Sequence, residues 1–274
     1  MADMKTYTSS EPRIRYWQSA GEDQRVLLVM GFGMRGQIWQ PQIDGLGASY
    51  RLAWYDHRGL GDSEKGPASR WSIRDMAEDA YRVLDALGWS RCHLVGVSMG
   101  GMIAQEMVLN QEERFASLSL LVTHGGGSPL KTLPGQRGMR AFMRSFLARG
   151  EGKAKALEAL LYPDAFLECT DRARLRSRIR KRIERPAPPA TLLAQLMAVF
   201  GHNSLERIGR IAVPTQIIKA TEDILVSPRF SDELKRAIPL AQLYRMEGAG
   251  HGVIFQCADR INALLAAHIE RNRF

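Results

Sequence analysis

The stretch Leu94-Val95-Gly96-Val97-Ser98-Met99-Gly100-Gly101-Met102 places a serine between an apolar run at 93–97 and a helix-like stretch at 99–110, with a glycine two residues to either side. A serine at a sharp strand-to-helix turn takes up sparsely allowed backbone angles, so its close neighbours must be small. Such a turn lifts the hydroxyl clear of the sheet. The N–H of Met99, first in the helix, aims at the same point, where unpaired donors and the helix dipole favour negative charge. The chemistry this suits is attack on a carbonyl carbon, with the developing oxyanion held by main-chain donors. A serine hydroxyl is a poor nucleophile at neutral pH, and the attack needs a base within hydrogen-bond reach.

The elements that must position such a group alternate along the chain. Short apolar runs at 14–17, 26–30, 52–55, 93–97, 118–122, 215–219 and 242–245 predict strands, and 38–46, 73–87, 99–110, 228–237 and 256–270 predict helices. In the second of these helices Ile73, Met76, Ala77, Ala80, Val83, Leu84 and Leu87 form a stripe at 3.6-residue spacing. This order points to a mainly parallel sheet covered on both faces. Between 125 and 205 the strand pattern disappears. Gly125-Gly126-Gly127-Ser128-Pro129 breaks the chain, and helical stretches follow, interrupted at Pro186-Ala187-Pro188-Pro189. The expected organisation is a core of 1–124 and 206–274 with an all-helical cap, a lid, at 125–205.

At 274 residues, 45% hydrophobic and 24% charged, the chain has the composition of a globular protein with a substantial core. No apolar run is long enough to span a bilayer, and the start Met1-Ala2-Asp3-Met4-Lys5-Thr6-Tyr7 lacks a secretory signal. Cys92, Cys169 and Cys257 follow neither disulfide nor zinc spacing. A cytoplasmic protein with no metal and no cofactor is the expectation. The net charge of +9 is local. Residues 125–205 hold 15 Lys and Arg against 6 Asp and Glu, which accounts for the whole surplus. No nucleic-acid-binding module or stacking platform accompanies it, so nucleic acid is not an expected partner.

With these motifs in place the chain resembles the serine-nucleophile members of the α/β-hydrolase superfamily over nearly its whole length. The resemblance implies an α/β fold with a mostly parallel eight-stranded sheet flanked by helices and a helical cap. It also implies the chain order nucleophile, acid, histidine. Asp223, in Thr221-Glu222-Asp223-Ile224 after the strand at 215–219, matches the acid. His251, in Gly248-Ala249-Gly250-His251-Gly252 after the last strand, matches the base. In Met30-Gly31-Phe32-Gly33-Met34, Phe32 matches the second oxyanion donor beside Met99, and Met30 stands where the common form has histidine. The resemblance implies that His251 takes the Ser98 proton and returns it to the leaving group, while Asp223 holds the imidazole tautomer. The motif Tyr55-Asp56-His57-Arg58-Gly59-Leu60-Gly61-Asp62-Ser63 is read as structural, with Asp56 and Arg58 tying loops together. Together with the Met-Gly loop, the serine motif and Gly125–Gly127, it is similar to bacterial esterases acting on natural-product methyl esters.

The expected activity is hydrolysis of a small carboxylic ester or lactone, anionic or carrier-linked ones included, through an acyl-enzyme. The same residues in related members serve thioesters, carbon–carbon bond cleavage or lyase chemistry, and a ligand receptor on this scaffold is the reading from another class. Met34, Met139, Met143 and Met197 are candidates for a soft acyl pocket, and His124 for the site mouth. His57, His93, His202 and His268 are read as structural. In the run 171–184, Leu175, Ile179 and Ile183 form a narrow apolar stripe. Its arginines are expected to face water, with steering of anionic substrates as the alternative.

Overall fold

The computed structural model describes residues 6–183 and 185–274, apart from the side chains of 129 and 181–183. The expectations for the chain start at 1–5 and for Glu184 lie outside the described residues, and that for the Ile183 side chain lies outside the described side chains. Among those described, eight strands form one sheet in the order β1-β2-β4-β3-β5-β6-β7-β8. β1 (Thr6–Tyr7) and β2 (Arg15–Gln18) run antiparallel at one edge. β3 (Asp23–Val29), β4 (Tyr50–Tyr55), β5 (Cys92–Val97), β6 (Phe115–Leu121), β7 (Thr215–Ala220) and β8 (Ala241–Met246) are parallel to one another.

Three helices precede β6: α1 (Gln40–Leu46), α2 (Ile73–Ala86) and α3 (Met99–Asn110). Between β6 and β7 lie α4 (Pro129–Thr132), α5 (Gln136–Leu147), α6 (Gly150–Leu161), α7 (Asp164–Glu168), α8 (Arg172–Ile183) and α9 (Pro189–Phe200). The chain closes with α10 (Arg229–Ala237), α11 (Val253–Gln256) and α12 (Ala258–Arg271). No described helix is long and apolar enough to cross a membrane.

Both faces of the sheet are buried, which is why its strands read as continuous apolar runs. Leu27 and Val29 of β3 pack on one side with Met76, Ile103, Met107 and Leu234 from α2, α3 and α10. Val26 and Leu28 pack on the other with Leu46, Ile261 and Leu265 from α1 and α12. This is the two-residue period of a strand. β3 and β5 are neighbours, yet β3 leads to α1 on one face and β5 to α3 on the other. The chain departs from them in opposite directions, and a crevice opens beyond their C-terminal ends.

The helices between β6 and β7 have a small core of their own, with Ala154, Leu157, Leu160, Leu167 and Ile179 at its centre. The segment leaves and re-enters at one point, where the Ser204 N–H donates to the Gly125 carbonyl at 2.8 Å. α8 departs from expectation. Leu175 and Ile179 turn inward as read, but Arg172 and Arg176 do not simply face water. Both bond the carboxylate of Glu158 on α6, which has no exposed surface. A carboxylate withdrawn from water requires charged or hydrogen-bonding partners, and the helix packed against it supplies them.

Candidate active site

The turn after β5 has the strain that its sequence implies. Ser98 has φ 56° and ψ −123°, in a region that non-glycine residues seldom occupy. A Cβ at Gly96 would lie 2.3 Å from the Gly100 carbonyl oxygen, and one at Gly100 would lie 2.1 Å from that of Val29, so both positions exclude a side chain. The turn is held from below: the Ser98 N–H donates to the Leu121 carbonyl at 2.9 Å, and the Thr123 hydroxyl donates to the Ser98 carbonyl at 2.7 Å.

Because β3, β5, β7 and β8 are parallel, the loops that follow them share one edge of the sheet. His251, beyond β8, brings Nε2 to 3.0 Å from Ser98 Oγ. Its Nδ1 lies 2.7 Å from Oδ2 of Asp223, beyond β7. An ionised carboxylate only accepts, so Nδ1 carries the proton and Nε2 is left to accept from the serine hydroxyl. The other oxygen of Asp223 accepts the N–H groups of Leu225 and Val226, at 2.8 and 2.9 Å. Adjacent Glu222 is exposed, whereas Asp223 is buried.

The loop after β3 passes over the serine, and a Cβ on Gly31 would lie 3.2 Å from that of Ser98. Neither Phe32 nor Met99 gives its N–H to a described residue. Beneath the loop, His57 Nε2 lies 2.7 Å from the Met30 carbonyl. A carbonyl only accepts, so this nitrogen is protonated. Burial pushes the His57 pKa down to about 4, so the ring is neutral. The loop is therefore supported through the backbone of Met30, whatever side chain stands there. Asp56 accepts the Gly36 N–H at 2.8 Å, and burial raises its pKa to about 6. Arg58 pairs with Asp79.

From above, one bond each joins the loops after β3 and β8 to the helical segment. Gln195 of α9 accepts the Gly33 N–H at 2.8 Å, and the Leu161 carbonyl at the end of α6 accepts the Gly252 N–H at 2.8 Å. Gln256 completes the histidine loop, accepting from the Gly250 N–H and donating to the Gly248 carbonyl. His57, read as structural, supports the loop through Met30, while sequence reasoning missed Gln195 and Gln256 as supports. Gln195 had a signal, being a lone polar residue in the apolar run Leu192-Leu193-Ala194-Gln195-Leu196-Met197-Ala198.

A family model described as alpha/beta hydrolase fold matches residues 24–257. The chain belongs to that family. A relative from Azorhizobium caulinodans, named as a candidate carbamate hydrolase, RutD, is 30% identical over 251 residues, which cover 91% of this chain and 92% of the relative. A hydrolase from Pseudomonas aeruginosa superposes with a TM-score of 0.83 at 22% identity, covering 98% of this chain and 99% of the other. The enol-lactonase from Burkholderia xenovorans superposes with a TM-score of 0.82 at 21% identity, covering 97% and 100%. At such identities the two structures speak for the fold alone. At the level of the family, the chain is a hydrolase.

In this alpha/beta hydrolase a cavity of about 190 Å³ lies against Ser98 and His251, between the sheet edge and the helices above it. Of the methionines proposed for it, Met34 lines the wall. Met139, Met143 and Met197 do not, and the last two are 45% and 54% exposed. The reason is helix rotation. Phe142 and Phe146 take the inner face of α5, and Leu192 that of α9, with Met197 five residues and about 140° further round. His124 is also off the cavity. It is buried, with Nδ1 accepting the Gly126 N–H at 2.9 Å and its ring 5.2 Å from that of Phe230. His93, His202 and His268 face Ser117, Glu106 and the Pro214 carbonyl, all away from Ser98.

Proposed function

We propose that this chain hydrolyses a small carboxylic ester or lactone through an acyl-enzyme on Ser98. The observation that carries the reading is the continuous chain Ser98–His251–Asp223, at 3.0 and 2.7 Å, at the wall of a largely apolar cavity. In this mechanism His251 Nε2 accepts the serine proton as Oγ attacks the carbonyl carbon, and Asp223 stabilises the imidazolium without taking the proton. The negative charge developing on the carbonyl oxygen is received by the N–H groups of Phe32 and Met99. The protonated His251 then gives its proton to the leaving alcohol, and water repeats the sequence on the acyl-enzyme. Residues 125–205 act as a cap that shapes the acyl pocket and excludes water. The Ser98→Ala variant should lose ester turnover by at least about a thousandfold, together with covalent labelling by a fluorophosphonate. Undiminished turnover in that variant would remove the reading.

A second reading is favoured by the relative named for carbamate hydrolysis, which matches nine-tenths of this chain. A carbamate carbonyl is open to the same attack, and the same oxyanion donors serve it. Assaying small methyl esters beside the matching carbamates separates the two readings by which Ser98-dependent product forms.

A further inference from the structure

The charged side chains on the wall of the Ser98 cavity are Arg35, Lys153 and Arg185, and no carboxylate among the described residues lines it. Two of the three cations have acidic company. Arg185 is largely exposed and stands 3.7 Å from Asp62, and Arg35 lies close enough to Asp56 to hold down its pKa against the upward push of burial. Lys153 is different. It sits on the first turns of α6, is half-buried, and makes no ion pair or side-chain hydrogen bond with a described residue. The acids of its own helix are engaged by other cations. Glu151 pairs with Lys155 at 3.8 Å, and Glu158 is bonded by Arg172 and Arg176.

An ammonium partly withdrawn from water, sharing a wall with Phe146, Leu157 and Ile179, carries a desolvation cost that an anion would offset. The cavity thus combines an apolar wall, the serine of the proposed acyl transfer at one side and a cation with no partner among the described residues. We propose that the substrate bears a free carboxylate besides its scissile bond: a half-ester of a dicarboxylic acid, or a lactone with a carboxylate. Lys153 binds the charged end, Arg35 and Arg185 add to the positive field, and the apolar walls hold the carbon chain. Hydrolysis of such a half-ester adds water across the acyl–oxygen bond and releases a dicarboxylate, an alcohol and one proton. The inference rests on the ester or lactone reading of the site and goes further by naming the substrate class.

The test uses the monomethyl esters of succinic, glutaric, adipic and pimelic acids, each beside the methyl ester of the monocarboxylic acid with the same carbon number. Acid release is followed at constant pH. At one or more chain lengths the wild type should favour the charged ester in kcat/KM by about tenfold, the scale of one charge-assisted hydrogen bond. Lys153→Met should bring that ratio to about one, and Lys153→Arg should retain most of it. A wild-type ratio at or below one at every length, or a preference that survives Lys153→Met, overturns the proposal. Should no ester be turned over, the ester reading fails, and the anion site is judged by calorimetry on Ser98→Ala. Monomethyl glutarate should then bind about tenfold more tightly than dimethyl glutarate, and Lys153→Met in that background should abolish the difference. Equal binding of the two overturns the proposal.

Discussion

Glu222 and Asp223 are neighbours with the same charge, and their surroundings separate them. Glu222 is exposed, while Asp223 is buried with one oxygen on His251 and the other on two backbone N–H groups. Asp223→Asn presents an amide that can donate to Nδ1 and so favours the wrong tautomer of His251. It should lower kcat by about a thousandfold to ten-thousandfold, whereas Glu222→Gln should stay within about twofold of the wild type, as an exposed substitution does. Steady-state kinetics on one ester checks both. At this scale much of the site was legible. The glycines around Ser98, and the loops after the strands at 215–219 and 242–245, led to the three residues that the fold brings within hydrogen-bond reach. His57 reads as structural, but nothing in a histidine's neighbours along the chain says that its ring reaches back to the carbonyl of Met30.

Helices were easier to locate than to orient. The apolar runs predicted α1, α2, α3, α10 and α12 to within a few residues, because their stripes face a sheet whose strands were also visible. β1 escaped, since two residues show no period. In α5 and α9 the methionines and the aromatic and leucine residues have similar hydrophobicity, so which of them meets the cavity depends on rotation against neighbours distant in sequence. The single glutamine of α9 is where such a helix bonds the loop after β3. Gln195→Met keeps the bulk but leaves the Gly33 N–H without its acceptor. The N–H of Phe32 one residue earlier, the oxyanion donor proposed above, should then be less firmly placed. We expect kcat to fall about tenfold, the scale of one lost buried hydrogen bond, with KM changing less and the urea midpoint close to that of the wild type.

The whole molecule holds five imidazoles neutral by burying them. Desolvation pushes His57, His93, His124 and His268 down to about 4, and His202 to about 3. In the unfolded chain each titrates near 6.5. Between about pH 6.5 and 4 the unfolded state therefore binds more protons, and stability present at neutral pH is lost as the pH falls through that window. Asp56 acts the other way, because its raised value near 6 keeps a proton in the fold that the unfolded chain has released. The balance is a net uptake of several protons on unfolding, each worth about 1.4 kcal/mol per pH unit. Urea midpoints should drop steeply from pH 7 to pH 5, and a flat profile would contradict these burial effects. The bonds from Gln195 to Gly33 and from Leu161 to Gly252 have a consequence for exchange of parts between relatives. A foreign helical segment grafted at the Gly125 and Ser204 junction would inherit an intact sheet and an intact serine. It would still lack two anchorage points unless it brought an acceptor to each of them, so a chimera that folds well can be a poor catalyst.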